Sequence, residues 1–357
     1  MNRNITHALL DVLRSIDSVG TEMVARGQTQ KEVLSTLTKI ANPQERFLVL
    51  PGRKNNVFAQ VAETIWVLAG RGDLEFLQHY LPRSIDFSDD NKTWRAAYGP
   101  RLRNWMGKVD QVSCIVSRLR EDPNTKRAVM SLFDPMSDYS DTKDVPCNNW
   151  LQFIQRDNIL YLHVTIRAND AIWGFSGINF FEWSVLHEIV ATTLGYQMGT
   201  LSWYVGTFHI YSRHYDTSRD LLRIKKPRSP YECGIEPTPI KTTLNNLDST
   251  LDILFHAESL CREGKFQDAM VLEKKLTDPF FQSIAIMLRV YNAELKGLSH
   301  NTVIKYLEDL KQSDFRVAAI EYFSRKWRDE GLFYSADKVI SEFFNYYLVM
   351  QADQKNE

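Results

Sequence analysis

Cysteine is scarce: Cys114, Cys147, Cys233 and Cys261 are the four in 357 residues. They are too few and too far apart for a disulfide framework or a Cys-x-x-Cys metal clip. Neither sign of charge prevails, with 43 Lys and Arg against 44 Asp and Glu. No bulk attraction to nucleic acid or an anionic membrane follows, so any anion site has to be local. No apolar run nears the roughly 20 residues needed to cross a bilayer. The opening Met1-Asn2-Arg3-Asn4 leads into mixed polar sequence without the apolar stretch of a secretion signal. The expectation is a chain of the reducing cytoplasm, with neither a membrane nor a nucleic acid as partner. What is present is ordinary globular composition, 44% hydrophobic and 24% charged. It suffices for a sizeable core and for two domains of roughly 150 residues each.

Residues 6–39 carry apolar side chains at helical spacing, broken by Gly20 and Gly27, with a loop or edge strand between those glycines. Residues 55–70 predict a helix that is apolar nearly all round through Val57, Phe58, Val61, Ala62, Ile65, Trp66 and Leu68, hence buried. Glu63 is its only charge. A carboxylate there has to be paired, hydrogen-bonded or protonated, because desolvation opposes ionisation. After a further helix near 109–120 the pattern turns to strands at 128–133, 150–156, 159–167 and 200–211, with a hairpin at Asp157-Asn158. In the third of these strands Leu160, Leu162, Val164 and Ile166 share one face, so Arg167 closes the strand on the polar face. Thr207, His209 and Tyr211 likewise share a face of the last. A helix over 179–194 separates these strands, with Asn179 as its expected N-cap.

Beyond about Thr242 the spacing is helical throughout, with the last helix expected over 334–347, and Pro227, Pro230, Pro237 and Pro239 mark a boundary. The expected division is a first domain over residues 1–240 and a helical domain over 241–357. A phrase around Gly264 resembles one unit of a helical-hairpin repeat, but no second copy follows at a fixed period.

Cys147 follows Pro146 at the entry to a strand, which holds a thiol in a fixed place. Alone, such a cysteine reads as a small buried hydrophobe, Asn179 as a helix cap, Arg167 as a strand-end cation and His209 as a hydrogen-bonded core histidine. Their order along the chain changes that reading. Pro146-Cys147, then Arg167-Ala168-Asn169-Asp170 leading through Gly174 to Asn179, then Gly206-Thr207-Phe208-His209-Ile210-Tyr211, resembles the thymidylate synthase family. The likeness extends backward to Lys126-Arg127, Tyr98-Gly99, Glu63 and the stretch from Gly20 to Arg26. It covers about residues 5–240 and leaves out the helical tail.

The resemblance implies an α/β (α+β) fold, a mixed sheet flanked by helices, with the C-terminal all-helical domain added to it. It implies one-carbon transfer from 5,10-methylenetetrahydrofolate to carbon 5 of a pyrimidine nucleoside monophosphate, without a metal. Carbon 5 of uracil is a poor nucleophile, so a thiolate first adds to carbon 6 and makes its neighbour electron-rich. That role falls to Cys147, with nearby arginines as the means of lowering its pKa. Arg26, Arg167, Lys126 and Arg127 would hold the 5′-phosphate, the last two reaching across a homodimer interface. Asn179 would offer its NH₂ to O4 and its carbonyl to the N3 hydrogen of uracil, where a carboxylate would suit cytosine. Glu63 would move protons around the cofactor and base carbonyl, Asp170 would hold the pterin, Tyr98 would help remove the carbon 5 proton, and His209 and Tyr211 would contact the sugar.

The chain departs from the family pattern at several places. Asn148 stands where histidine is usual, Ala168 where serine is, and Thr207 where aspartate is. Around residues 84–87 there is no tryptophan to cover the folate site. Water entering there would give a hydroxymethyl product instead of methyl. The stretch 234–240 reads as a remnant of the family's closing tail. The simplest activity is dUMP to dTMP. Hydroxymethyl transfer to a uridylate or cytidylate is the alternative, and a non-catalytic nucleotide-binding or assembly module is the reading from another class. A Cys/His hydrolase finds no local nucleophile signature.

Overall fold

The computed structural model describes residues 1–334 and 337–355. At its centre lies a six-stranded sheet ordered β1-β2-β6-β5-β4-β3. The strands are β1 (Thr21–Ala25), β2 (Gln28–Ile40), β3 (Val129–Ser131), β4 (Asn148–Arg156), β5 (Ile159–Asp170) and β6 (Gln197–Tyr211). Neighbours are antiparallel except β5 and β6, which run parallel. A parallel pair needs a long crossover, and residues 171–196 supply it. On β5, Leu160, Leu162, Val164 and Ile166 are fully buried while the alternate positions are half-buried or exposed, as the period of two requires.

The helices before the crossover are α1 (Ile5–Val19), α2 (Val57–Leu68), α3 (Leu74–Tyr80), α4 (Tyr98–Arg103) and α5 (Gln111–Glu121). The crossover carries α6 (Phe180–Leu194), and α7 (Tyr215–Leu222) follows the last strand. Helices α1 and α6 cover one sheet face, and α2 packs against α6. Every residue of α2 is buried, including Glu63. The far side of α2 is closed by the C-terminal helices α8 (Leu244–Arg262), α9 (Phe266–Glu273), α10 (Pro279–Leu295), α11 (His300–Glu308), α12 (Asp314–Trp327) and α13 (Lys338–Lys355), with α10 and α12 in direct contact with it. Phe58 of α2 meets Tyr291 and Phe323 at ring-centre distances of 5.1 and 5.4 Å.

Three expectations are corrected. Residues 28–39 form the long strand β2, not a continuation of the helix. Arg26 and Gly27 both take positive φ (48° and 72°) and reverse the chain tightly, so that pairing with β6 from Gln30 to Ile40 outweighs the helical spacing. The piece between the glycines is the edge strand β1. Asn179 does not cap α6: its backbone is helical (φ −66°, ψ −36°), it makes no capping hydrogen bond, and the chain enters α6 directly from a wide helical stretch, Ala171–Asn179. The last helix begins at Lys338 instead of Tyr334, and Ser335 and Ala336 lie outside the described residues.

The Pro-rich boundary is packed rather than slack. Tyr231, Ile235 and Ile240 are buried. The Tyr231 hydroxyl accepts from the Phe47 amide (3.0 Å) and donates to Asp314 (3.1 Å), and Thr238 donates to the same carboxylate (2.6 Å). The Ile240 amide donates to Glu188 (2.9 Å), which also accepts from Gln44 (2.9 Å) and pairs with the fully buried Arg46. Those added bonds offset the desolvation of a buried ion pair. At the far end of α13, Gln354 donates to the carbonyl of Pro51 (2.9 Å).

Candidate active site

The site is organised by the crossover. After β5 the Asp170 carboxylate caps the wide helical stretch by accepting from the Ile172 amide (2.8 Å). Wide turns of this kind often occur at functional sites, because they re-aim side chains. Gly174 is needed here: a Cβ on it would lie 2.5 Å from Asn169 Nδ2 and 3.3 Å from Asn179 Oδ1. The stretch is clasped from outside by two residues that sequence reasoning missed. The buried Arg53 guanidinium donates to the Ile172 carbonyl and to Ser176 Oγ (3.1 Å), and Gln60 of α2 donates to the Gly177 carbonyl. Burial brings Arg53 down to about 10, with the Asp170 charge opposing.

Cys147 is half-buried immediately before β4. Arg167, at the end of β5, reaches over it. Its guanidinium donates to the carbonyls of Pro146 (2.9 Å) and Val145 (2.7 Å), and Nη2 lies 3.8 Å from Cys147 Sγ. Arg26, at the β1–β2 turn, is exposed yet near enough to act electrostatically on the thiol. The expected depression of the thiol pKa is not what results. Burial pushes Cys147 up, Arg167 and Arg26 pull it down, and Asp144 and Asp170 oppose them, so the net shift is upward.

Two buried carboxyls face each other across the α2–α6 contact. Glu63 is held well above the usual carboxylate range by burial and then by the charges of Glu182 and Asp144. Glu182, which sequence reasoning missed, is 2% exposed. Burial raises it to about 7, against a hydrogen bond from Asn179, whose Nδ2 donates to Glu182 Oε2 (3.3 Å). The signal was available: a single charge in the apolar run Phe180-Phe181-Glu182-Trp183, the same pattern that singled out Glu63. Since Asn179 is not spent on capping, its half-buried amide is left to this carboxyl and to a ligand.

A third group links the nucleophile to an aromatic wall. The Trp183 indole, a donor only, donates to Asn148 Oδ1 (3.0 Å) and thereby fixes the amide orientation. Asn148 Nδ2 then donates to the Tyr98 hydroxyl (2.6 Å), which also accepts from the Asn148 amide (3.3 Å). With both acceptor positions used, the Tyr98 proton is left to donate away from this network. Burial holds Tyr98 well above its ordinary pKa, so it stays a neutral donor.

His209 and Tyr211 stand together on β6, ring centres 5.0 Å apart, and His209 Nδ1 is buried without a hydrogen-bond partner among the described residues. Thr207, which stands where the family pattern has aspartate, donates through Oγ1 to the carboxylate of Glu32 on β2, to which Gln30 also donates (3.2 Å). A tryptophan does reach this rim, from a position later than expected. Trp94 stacks on Phe87 (5.6 Å, 8°) and donates to Asp144 (2.6 Å). Asp144 is itself raised by burial. Lys126 and Arg127 are exposed on the loop before β3 and are not among the charges that shift the thiol. Glu63, Tyr98, Cys147, Arg167, Asp170, Asn179, His209, Tyr211 and Arg26 are thus gathered around the crossover; that pair is not. Among the described residues no group of three or more His, Cys, Asp or Glu is placed to hold a metal ion, and no helix is long and apolar enough to cross a membrane.

Comparison with known proteins identifies the family. The pattern of the thymidylate synthase family matches residues 7–249. A protein of Bacillus phage SP01 described as deoxyuridylate hydroxymethyltransferase is 28% identical over 369 aligned positions, covering 95% of this chain and 96% of its own. One of Pseudomonas phage M6 with the same description is 29% identical over 339, covering 91% and 93%. A putative thymidylate synthase of Methanosarcina barkeri is 30% identical over 161, covering 45% and 70%. The chain belongs to the thymidylate synthase family of one-carbon transferases.

Proposed function

We propose that the chain transfers a one-carbon unit from methylenetetrahydrofolate to carbon 5 of dUMP and releases 5-hydroxymethyl-dUMP. The observation that carries this reading is the Cys147 thiol under Arg167, with an unspent Asn179 amide and two buried carboxyls on the same crossover. Relatives that span nearly the whole length favour the hydroxymethyl outcome. Arg167 and Arg26 hold the 5′-phosphate, and Asn179 reads O4 and N3 of the base. His209 and Tyr211 meet the sugar. Cys147 adds to carbon 6, and the electron pair moves into an enolate through carbon 5 and O4. Asp170 and the Phe87–Trp94 pair offer an acceptor and a flat wall that fit a pterin. The folate supplies the one-carbon electrophile and departs as tetrahydrofolate. Tyr98, a fixed donor, orients the water that takes the carbon 5 proton.

Glu63, neutral when buried, protonates near O4 and, once ionised, takes a proton from the incoming water as its oxygen bonds to the exocyclic methylene. The methylene electrons return to the ring, carbon 6 releases the Cys147 thiolate, and no external reductant is consumed. The aromatic cover from Phe87 and Trp94 favours the methyl product as the second reading. Incubation with dUMP and methylenetetrahydrofolate, followed by mass measurement, separates the two. The expected result is hydroxymethyl-dUMP with tetrahydrofolate; dTMP with dihydrofolate overturns it.

A second copy of the chain would cover the outward sheet face. Leu34 (67% exposed), Leu37 and Tyr204 stand open there around a hollow of about 380 Å³, an apolar cluster that a partner surface would cover. Lys126 and Arg127 would then reach the phosphate of the opposite copy. Light scattering should give twice the 41.5 kDa chain mass.

A further inference from the structure

Glu182 has no part in the steps above, yet it touches the residue that reads the base. It sits one turn beyond Asn179 on α6, accepts from Asn179 Nδ2 through Oε2 (3.3 Å), and is screened from solvent. Its Oε1 has no hydrogen-bond partner among the described residues. We infer that Glu182 is a positioning residue which fixes the way round that Asn179 presents its amide, and so sets the preference for a uracil over a cytosine base. The inference rests on the reading of Asn179 as the base-reading side chain.

An asparagine amide has two chemically opposite ends of nearly the same shape, and a half-turn of its last torsion exchanges them. With the carbonyl toward N3 and the NH₂ toward position 4, it matches uracil, which donates from N3 and accepts at O4. Turned over, it matches cytosine, which accepts at N3 and donates from its amino group. An unrestrained asparagine would therefore serve both bases. Once ionised, the carboxylate beside it is acceptor-only and breaks the tie, because it can accept from the NH₂ but turns a flipped amide into acceptor against acceptor in a desolvated place, whereas its protonated form could donate to either arrangement. Gly174 leaves the opposite side open: Oδ1 of Asn179 lies 3.3 Å from where a Cβ would stand. One NH₂ hydrogen is thus engaged by Glu182, while the other and the carbonyl remain for the base.

The test compares binding of dUMP and dCMP to the full chain by calorimetry at pH 8, where Glu182 is ionised, for wild type, Glu182→Met, Glu182→Ala and Glu182→Gln, with folding checked by thermal melting. Binding is the readout, so the result is independent of turnover and of the methyl or hydroxymethyl outcome. The expected result is that Met and Ala, which cannot accept, narrow the dUMP-over-dCMP ratio by about tenfold or more. Gln, whose own amide can turn over and donate to a flipped Asn179, is expected to narrow the ratio in the same direction. A folded Met or Ala variant with the wild-type ratio overturns the inference. So does equal loss of both nucleotides, which a merely structural role would give. A wild-type chain that binds neither nucleotide refutes the nucleotide reading itself.

Discussion

A thiol that has to attack as thiolate is held here in its neutral form, since burial of Cys147 outweighs the pull of Arg167 and Arg26. Replacing Arg167 with Met removes the larger of the two downward pulls, so the thiolate fraction falls and alkylation of Cys147 by iodoacetamide at pH 7 should slow by roughly tenfold. Cys147→Ser should lower product formation by about a thousandfold or more while nucleotide still binds, which calorimetry checks. Glu182 gives a prediction in pH. Its folded pKa, about 7, lies above the 4.5 of an unperturbed glutamate, so between those values the folded state keeps a proton that the unfolded chain has released. Stability therefore falls as pH rises through that window. Glu182→Gln, which has no proton to lose, should be the more stable protein at pH 8 and converge with wild type near pH 4 in urea denaturation. At this scale the sequence was readable where a residue is odd for its surroundings. Glu63 stood out for that reason, and Glu182 would have by the same rule. Arg53 and the Asn148–Trp183 pair were not readable, because their partners lie 35 to 123 residues away in the chain.

Among the elements, the one that matters most is the wide helical entry to α6. Sequence patterning predicted a helix beginning at a capped Asn179, and the helix is there; what periodicity could not show is that helical geometry starts at Ala171, so that Asn179 is released from capping. Gly174→Ala tests the tight packing in this stretch. The added methyl would press on Asn169 Nδ2 at 2.5 Å and crowd Asn179, so affinity for dUMP should fall about tenfold by calorimetry and the melting temperature should drop by a few degrees. Strand β2 was misread because Val33, Leu34, Leu37 and Ile40 follow helical spacing and an irregularity at Ser35 (φ 55°) interrupts the alternation of a strand, so that only the turn at Arg26-Gly27 and the pairing with β6 reveal it. The hairpin at Asp157-Asn158 and the alternation on β5 were legible, since neither depends on distant partners.

At the scale of the whole molecule, the C-terminal helices act as the outer wall of the buried helix that carries Glu63. Asp314 is the tie between them and the segment after β6, accepting from Tyr231 and Thr238. Asp314→Ala leaves two donors unmatched in a dry place and should cost about 2 to 4 kcal/mol in urea denaturation. Composition and spacing predicted a separate helical region here but not its contacts, which are tertiary. The stretch from Tyr231 to Thr242 has a further consequence. Tied down at Thr238 and Ile240, it works as a clasp: one hook catches the C-terminal helices through Asp314 and the other catches α6 through Glu188, so the two parts of the molecule are buttoned together at one short seam.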